Sequence, residues 1–418
     1  MNALLDWKAF VKYFFGIIVH VCFLLVQYVI YGTEFLVTLL FKQSKKQGSI
    51  EVRRVIGRHK ASFFDCSHYD QFLTVHQGYC SASDVLADNV TLFCVTKDTA
   101  VFATLPKSIT NYSADKAGFI WMWIYRNAQT IIVMSIDELH QLAYDIGPPK
   151  DTVVVMSHPG RAGSTLFSSM VQQISDQIFS FSSHHSFYCL HRLKYQLDHP
   201  QYMNIVRSAI WLTFKPIQGI KTFFTKPACK TIDITEDVLS VLPGSVHIYL
   251  DREPESLIRS QERAFSQLID NKILFVRFMI NSWFGRRLLQ VGKIHQQVQH
   301  AALLLKPTQF EFFLLFWANS EMYRKQLTRD IPTTEFCFEE TVSQPHKAMA
   351  RLAQVAGIED PNLDAAANSL KNDSQRQTPY SQSNQNKSAN SQTDSDLKAY
   401  RIPRFCEALN LPNFVNVS

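Results

Sequence analysis

The segment Asp151–Met170, DTVVVMSHPGRAGSTLFSSM, constrains this chain more than any other. Val153–Met156 is apolar throughout and rich in β-branched valine, so it reads as a strand covered on both faces, the kind found in parallel sheets. SHPGRAGST follows directly, and a helix is expected to begin near Thr165. Gly160 and Gly163 let the backbone turn sharply and approach a ligand closely. Free amides at the helix start, together with the helix dipole, favour an anion. Ser164 and Thr165 add hydroxyl donors, and Arg161 adds a permanent charge in a bidentate fork. The segment therefore reads as a strand, a phosphate-gripping loop and a helix. The competing reading is a glycine-containing turn with no ligand. A Walker-type triphosphatase or kinase is a further reading, and the absence of a lysine after Gly163 argues against it.

Downstream, strands and helices alternate, as in a parallel α/β sheet. Val246–Leu250 and Thr334–Phe338 read as further strands, with helical stretches around 165–178, 203–213, 255–269 and 308–327. The predicted architecture over 151–368 is a three-layer parallel sheet with helices on both faces. Val246–Arg263, VHIYLDREPESLIRSQER, again runs a strand into a helix, with Pro254 at the helix start where proline is welcome. Arg252 sits at the strand end and Ser260 eight residues on. The carboxyl ends of parallel strands share one edge, so both residues can face the same ligand as the first loop. Alternatively, Arg252 is an ion-pair partner of Glu253 or Glu255.

Taken together, the two motifs resemble the sulfotransferases that use 3′-phosphoadenosine 5′-phosphosulfate (PAPS). Arg161-Ala162-Gly163-Ser164-Thr165 matches that family's 5′-phosphosulfate loop, and Arg252 with Ser260 matches its 3′-phosphate motif. Phe336–Ile358, FCFEETVSQPHKAMARLAQVAGI, is similar to a segment near the end of the family's fold. The resemblance spans about half the chain, 151–360, and leaves 1–145 unmatched. It implies a sulfotransferase-like fold and transfer of a sulfonate from PAPS to an acceptor hydroxyl or amine, with carbohydrate the favoured acceptor class and no metal. Arg161 and the loop amides would stabilise the departing phosphosulfate oxygen, while Arg252 and Ser260 would hold the 3′-phosphate. Membrane-bound members often place a glutamate base after the phosphate-loop helix. The same place here reads Phe181-Ser182-Ser183-His184-His185-Ser186, without a carboxylate. His184 and His185 are the candidate bases, against a reading as a polar loop. Lys226 is a further candidate for assisting the leaving group, against the commoner reading as a solvated lysine. A catalytically inactive, sulfotransferase-like interaction protein is the alternative function.

The amino-terminal part has a different character. Phe14–Tyr31, FFGIIVHVCFLLVQYVIY, carries no formal charge over 18 residues, and apolar residues resume at Phe35–Phe41. Such a run predicts a transmembrane helix, against a reading as a buried core helix or an interfacial hairpin, so 1–45 is expected to be a single-pass membrane anchor with the bilayer as partner through 14–31. The family resemblance points to a Golgi or other secretory-pathway membrane. Two orientation signals oppose each other. Lys42, Lys45, Lys46, Arg53, Arg54, Arg58 and Lys60 follow the run and favour a cytoplasmic bulk, whereas Asn-x-Ser/Thr sequons begin at Asn89, Asn111, Asn372, Asn386 and Asn416.

The net charge is +6 in 418 residues, which suits anionic ligands or a membrane surface; without a Lys/Arg block or a nucleic-acid motif, nucleic acid is not an expected partner. The eight cysteines include no CxxC pair and no zinc spacing, so no metal site is expected. Region 61–146 reads as a small strand-rich accessory unit. In it, Val90–Val95 and Ala100–Leu105 form a hairpin, Ile131–Met134 a short strand and Asp137–Tyr144 a short helix. Residues 369–396 are rich in Ser, Asn and Gln and read as a flexible polar insert, followed by a short segment, 397–418.

Overall fold

The computed structural model describes residues 2–41, 50–62, 65–267, 300–301, 309–372 and 401–411. A long helix, α1 (Asn2–Phe41), precedes five strands: β1 (Ile50–Arg58), β2 (Phe72–Cys80), β3 (Val90–Val95), β4 (Thr99–Thr104) and β5 (Thr130–Ser135). Helix α2 (Ile120–Asn127) lies before β5, and α3 (Ile136–Ile146) follows it. The strands form one antiparallel sheet, in the order β2-β1-β5-β4-β3. The expected hairpin is β3–β4, its turn held by Thr96, whose hydroxyl accepts from the Thr99 amide at 3.0 Å. Helix α3 starts on a capping box: Ser135 accepts from the Glu138 amide, and the Glu138 carboxylate accepts from the Ser135 amide.

The second half alternates as expected: β6 (Thr152–Ser157), α4 (Ser164–Gln172), β7 (Ile178–Ser182), α5 (His185–Leu193), α6 (His199–Thr213), β8 (Thr222–Lys226), α7 (Thr235–Ser240), β9 (Val246–Asp251) and α8 (Pro254–Gln267). Beyond α8 are α9 (Gln309–Asp330), β10 (Thr333–Cys337), α10 (Phe338–Ser343), α11 (Pro345–Ala356), α12 (Leu363–Asn368) and α13 (Ile402–Ala408). Helix α4 stops at Gln172, short of the expected 178, where β7 begins. Most of the polar insert, from 373 on, lies outside the described residues.

Strands β6 to β10 form a parallel sheet in the order β10-β9-β6-β8-β7. Alternation decides what each face meets. Val154 and Met156 of β6, with Phe224 of β8, pack on Phe167 and Met170 of α4, Leu257 of α8, and Leu314 and Met349 of α9 and α11. Val153 and Val155, with Phe179, Phe181 and Phe223, belong to the other buried cluster, together with Leu190 and Val206 of α5 and α6 and Leu92, Val101 and Phe102 of the antiparallel sheet. The strand-rich region therefore shares one hydrophobic core with the parallel sheet.

Lys215, in the turn after α6, also ties the two sheets together. Only 4% exposed, its ammonium donates to the carbonyls of Val85, Ala87 and Val90. Replacing it by methionine takes the ammonium from the Val85 and Val90 carbonyls and leaves Ala87 with the Val90 amide alone. Lys215→Met is expected to cost roughly 3 kcal/mol, read as a lower urea midpoint with unchanged slope.

The order of the parallel strands places the crevice. From β6 the chain goes to β7 on one side of the sheet, and from β9 it goes to β10 on the other. Because β6 and β9 are neighbours, their following loops diverge and open a cleft at the carboxyl edge, where α/β sheets bind ligands.

Candidate functional site

The β6–α4 loop and the β9–α8 junction are the two segments that flank this cleft. Gly163 caps α4 with φ 79°, in the left-handed region. A Cβ there would lie 2.2 Å from the Phe338 ring, so only glycine fits. A Cβ on Gly160 would come within 2.9 Å of the Cys229 Sγ. Arg161 itself has φ 72°, an uncommon conformation for a side-chain-bearing residue and one that its surroundings must hold in place.

Those surroundings include α8. Gln261 donates to the Gly160 carbonyl at 2.9 Å, and the Arg161 Nε donates to the Ser260 hydroxyl at 3.3 Å. Arg252 donates to the Arg161 carbonyl at 3.0 Å, and its guanidinium lies 4.6 Å from the centre of the Phe338 ring. The ion pairs proposed as the ordinary role of Arg252 are not the ones formed. Glu255 pairs with Arg259 at 2.7 Å, and the carboxylate beside Arg252 is Glu339, 3.8 Å away. The structure thus brings Arg161, Arg252 and Ser260 into direct contact, although 91 residues separate the two arginines in sequence.

Lys226 approaches from the end of β8. It is buried, donates to the Thr165 hydroxyl at 3.4 Å and lies 5.4 Å from the centre of the Phe119 ring. Burial, with Arg161 nearby, pushes it down to about 8, Cys229 opposing. The solvated lysine that sequence reasoning favours here is in fact enclosed, and its ammonium faces the first turn of α4. His158 anchors the base of the loop, its ring nitrogens 3.1 Å from the carbonyls of Pro159 and Pro227. Burial and the neighbouring Lys226 hold it down to about 3, so it is neutral and donates to one carbonyl at a time.

His184 and His185 face elsewhere. The His184 ring meets the Ser186 hydroxyl at 2.7 Å and the Thr91 hydroxyl at 3.3 Å. His185 accepts from the Ser67 amide at 3.0 Å and stacks on Trp121 with ring centres 4.5 Å apart. Burial takes His184 down to about 4 and, with Lys60 and Lys230, holds His185 well below the usual range. Their link to Lys226 is through the backbone: the Ser183 amide, in a left-handed conformation (φ 56°), donates to the Lys226 carbonyl at 2.7 Å.

Sequence reasoning missed Phe338, Gln261 and Cys229. Phe338 follows β10 inside the third segment that carried the family resemblance, and Gln261 follows Ser260 directly, so position was the available signal for both. Among the described residues, no group of three or more His, Cys, Asp or Glu is placed to hold a metal ion.

No protein-family model matches the sequence, and no curated protein matches it. Among solved structures, the chain is similar to a sulfotransferase domain from the curacin biosynthetic pathway, at 16% identity over 64% of this chain and 99% of that one, with a TM-score of 0.35. It is similar to a sulfotransferase from Alicyclobacillus acidocaldarius, at 12% identity over 64% and 98% of the two chains, with a TM-score of 0.31. A mouse sulfotransferase complexed with PAP matches at 11% identity over 55% and 68% of the two chains, with a TM-score of 0.29.

Proposed function

We propose that this chain is a membrane-attached sulfotransferase that moves a sulfonate from PAPS to an acceptor hydroxyl or amine. The observation that carries the reading is the convergence of Arg161, Arg252, Ser260 and Lys226 on one glycine-bounded loop at the sheet's switch point. Arg161 and the amides of 162–165 bind the phosphosulfate end of the donor. Lys226 faces the bridging oxygen, where negative charge builds as the sulfonate leaves. Arg252 and Ser260 exchange their present contacts with Arg161 for the 3′-phosphate, which sets the register of the nucleotide. His184 or His185 takes the acceptor's proton; both are neutral, as a base must be, and Ser183 ties their segment to Lys226. Attachment to a secretory-pathway membrane favours a carbohydrate acceptor.

Titration calorimetry with adenosine 3′,5′-bisphosphate tests the binding half. The wild-type chain binds, and Arg252→Ala weakens binding by about 30- to 100-fold, as expected for loss of a charge-assisted phosphate contact. Absence of binding, or equal affinity in the variant, refutes the assignment.

One observation favours a second reading, a nucleotide-binding interaction protein that performs no transfer. The candidate bases are already engaged by Ser67, Thr91 and Ser186 on the side of the antiparallel sheet. A transfer assay with labelled PAPS and a panel of glycan acceptors separates the two. In the transferase reading, the His184→Ala/His185→Ala double variant loses at least about 100-fold in rate while its bisphosphate affinity stays unchanged.

A further inference from the structure

Helix α1 contains a 24-residue stretch, Phe14–Val37, that is long and apolar enough to cross a membrane. Its contacts with the folded domain point to another disposition. At about 100° per residue, His20, Phe23, Gln27, Tyr31 and Glu34 fall within about 40° of one direction on the helix, and every one of them touches the antiparallel sheet or its flank. The His20 and Phe23 rings lie 5.5 and 5.4 Å from that of His59. Gln27, 5% exposed, donates to the Phe72 carbonyl at 3.1 Å. The Tyr31 hydroxyl meets the Thr74 hydroxyl at 3.2 Å and its ring lies under Arg53. Glu34 accepts from the His76 amide at 2.7 Å and pairs with Arg53 at 2.6 Å.

Phe72, Thr74 and His76 are alternate residues of β2, the edge strand of the sheet. The helix thus covers an open edge and takes up its backbone groups with a polar stripe. The docked stretch, from His20 to Glu34, is about 21 Å long at 1.5 Å per residue. Crossing a bilayer needs about 20 consecutive apolar residues, and the undocked remnants on either side, 14–19 and 35–41, are each far shorter. A crossing helix would also carry the Arg53–Glu34 pair and an open strand edge into hydrocarbon, where unsatisfied backbone groups are not tolerated.

The opposite side of the helix is uniformly apolar. Ile18, Leu25, Val29, Leu36 and Leu40 lie within about 40° of the direction opposite Gln27. All are exposed, Val29 by 65% and Leu40 by 77%. We propose that α1 lies in the plane of the membrane surface, its polar stripe clamped on β2 and its outer face sunk among the acyl chains, so that both ends of the chain stay on one side of the bilayer. The occupant of the apolar face is lipid, and the single-pass crossing expected from hydropathy does not occur.

The test uses the full chain with an epitope tag at each terminus, made in the presence of microsomes and treated with protease before and after detergent. In the in-plane arrangement the two tags are always digested together or protected together, and the protein floats with the membranes on a density gradient. One tag protected while the other is cleaved overturns the proposal, as does a chain that stays in the aqueous fraction as a helix-paired dimer. In liposome flotation, Leu25→Glu/Val29→Glu is expected to reduce the bound fraction at least tenfold, and Phe23→Leu, on the docked stripe, to leave it unchanged. Equal flotation of the first variant and wild type also overturns it.

Discussion

Gly163→Ala is expected to abolish nucleotide binding, lowering affinity for adenosine 3′,5′-bisphosphate by more than about 100-fold while the chain still folds. Two costs combine at this position. The left-handed backbone (φ 79°) penalises any Cβ, and the added carbon would lie 2.2 Å from Phe338. Left-handed alanine costs roughly 1–2 kcal/mol and overpacking typically about 1–3 kcal/mol, sums that a large domain survives. The functional loss is greater because of what Phe338 supports. Its ring packs on the Arg252 guanidinium, and Arg252 holds the Arg161 carbonyl. Displacing one ring therefore disturbs both arginines at once. Calorimetry with the bisphosphate and a urea melt, run in parallel, separate lost binding from lost fold. Unchanged affinity would mean that the Gly163 contact does not support the site.

The second large effect concerns Lys226. Lys226→Ala is expected to reduce the rate of sulfonate transfer by about 10²–10³, with a smaller change in donor affinity, because its ammonium is assigned to charge that grows during the reaction. The pH dependence has two opposite signs. In the folded, ligand-free chain Lys226 titrates at about 8, down from 10.5. Between these values the unfolded chain holds a proton that the folded chain lacks, so the contribution of this residue makes stability rise with pH across that window. Nucleotide affinity moves the other way: above about pH 8 the site loses the cation that meets the phosphosulfate. A melting series and a bisphosphate titration from pH 7 to pH 10 are the measurements. Affinity that stays flat across this range in wild type removes Lys226 from the proposed site.

Much of the parallel half was legible in the sequence. Its strands are short, apolar and bounded by turn residues, and Arg252 and Ser260 meet the first loop as their eight-residue spacing and the shared sheet edge suggested. Several things were not legible, for definite reasons. The apolar run Val153–Met156 says that both faces are covered but not by what, so it does not reveal that Val153 and Val155 share a buried cluster with the antiparallel sheet. Lys226 looked solvated because burial of a lysine depends on Phe119 and Thr165, which come from distant segments. His184 and His185 looked like free loop residues, and their partners Thr91 and Ser67 lie over 90 residues upstream. The docking of Gln27 and Glu34 on β2 was not legible because their spacing acquires meaning only once β2 lies beside them.

The core shared by the two sheets has a consequence for how the protein is made. The antiparallel sheet is synthesised first, yet Leu92, Val101 and Phe102 share their buried cluster with residues of β6, β7, β8, the helices between them and the segment through α7, which runs to Leu242. Roughly 100 further residues must leave the ribosome before that cover exists, about 5–20 s at ordinary elongation speeds. Through that interval the nascent chain carries an unfinished apolar face together with an apolar first helix, so its yield in a cell depends on what shields the early half while the later half is still being made.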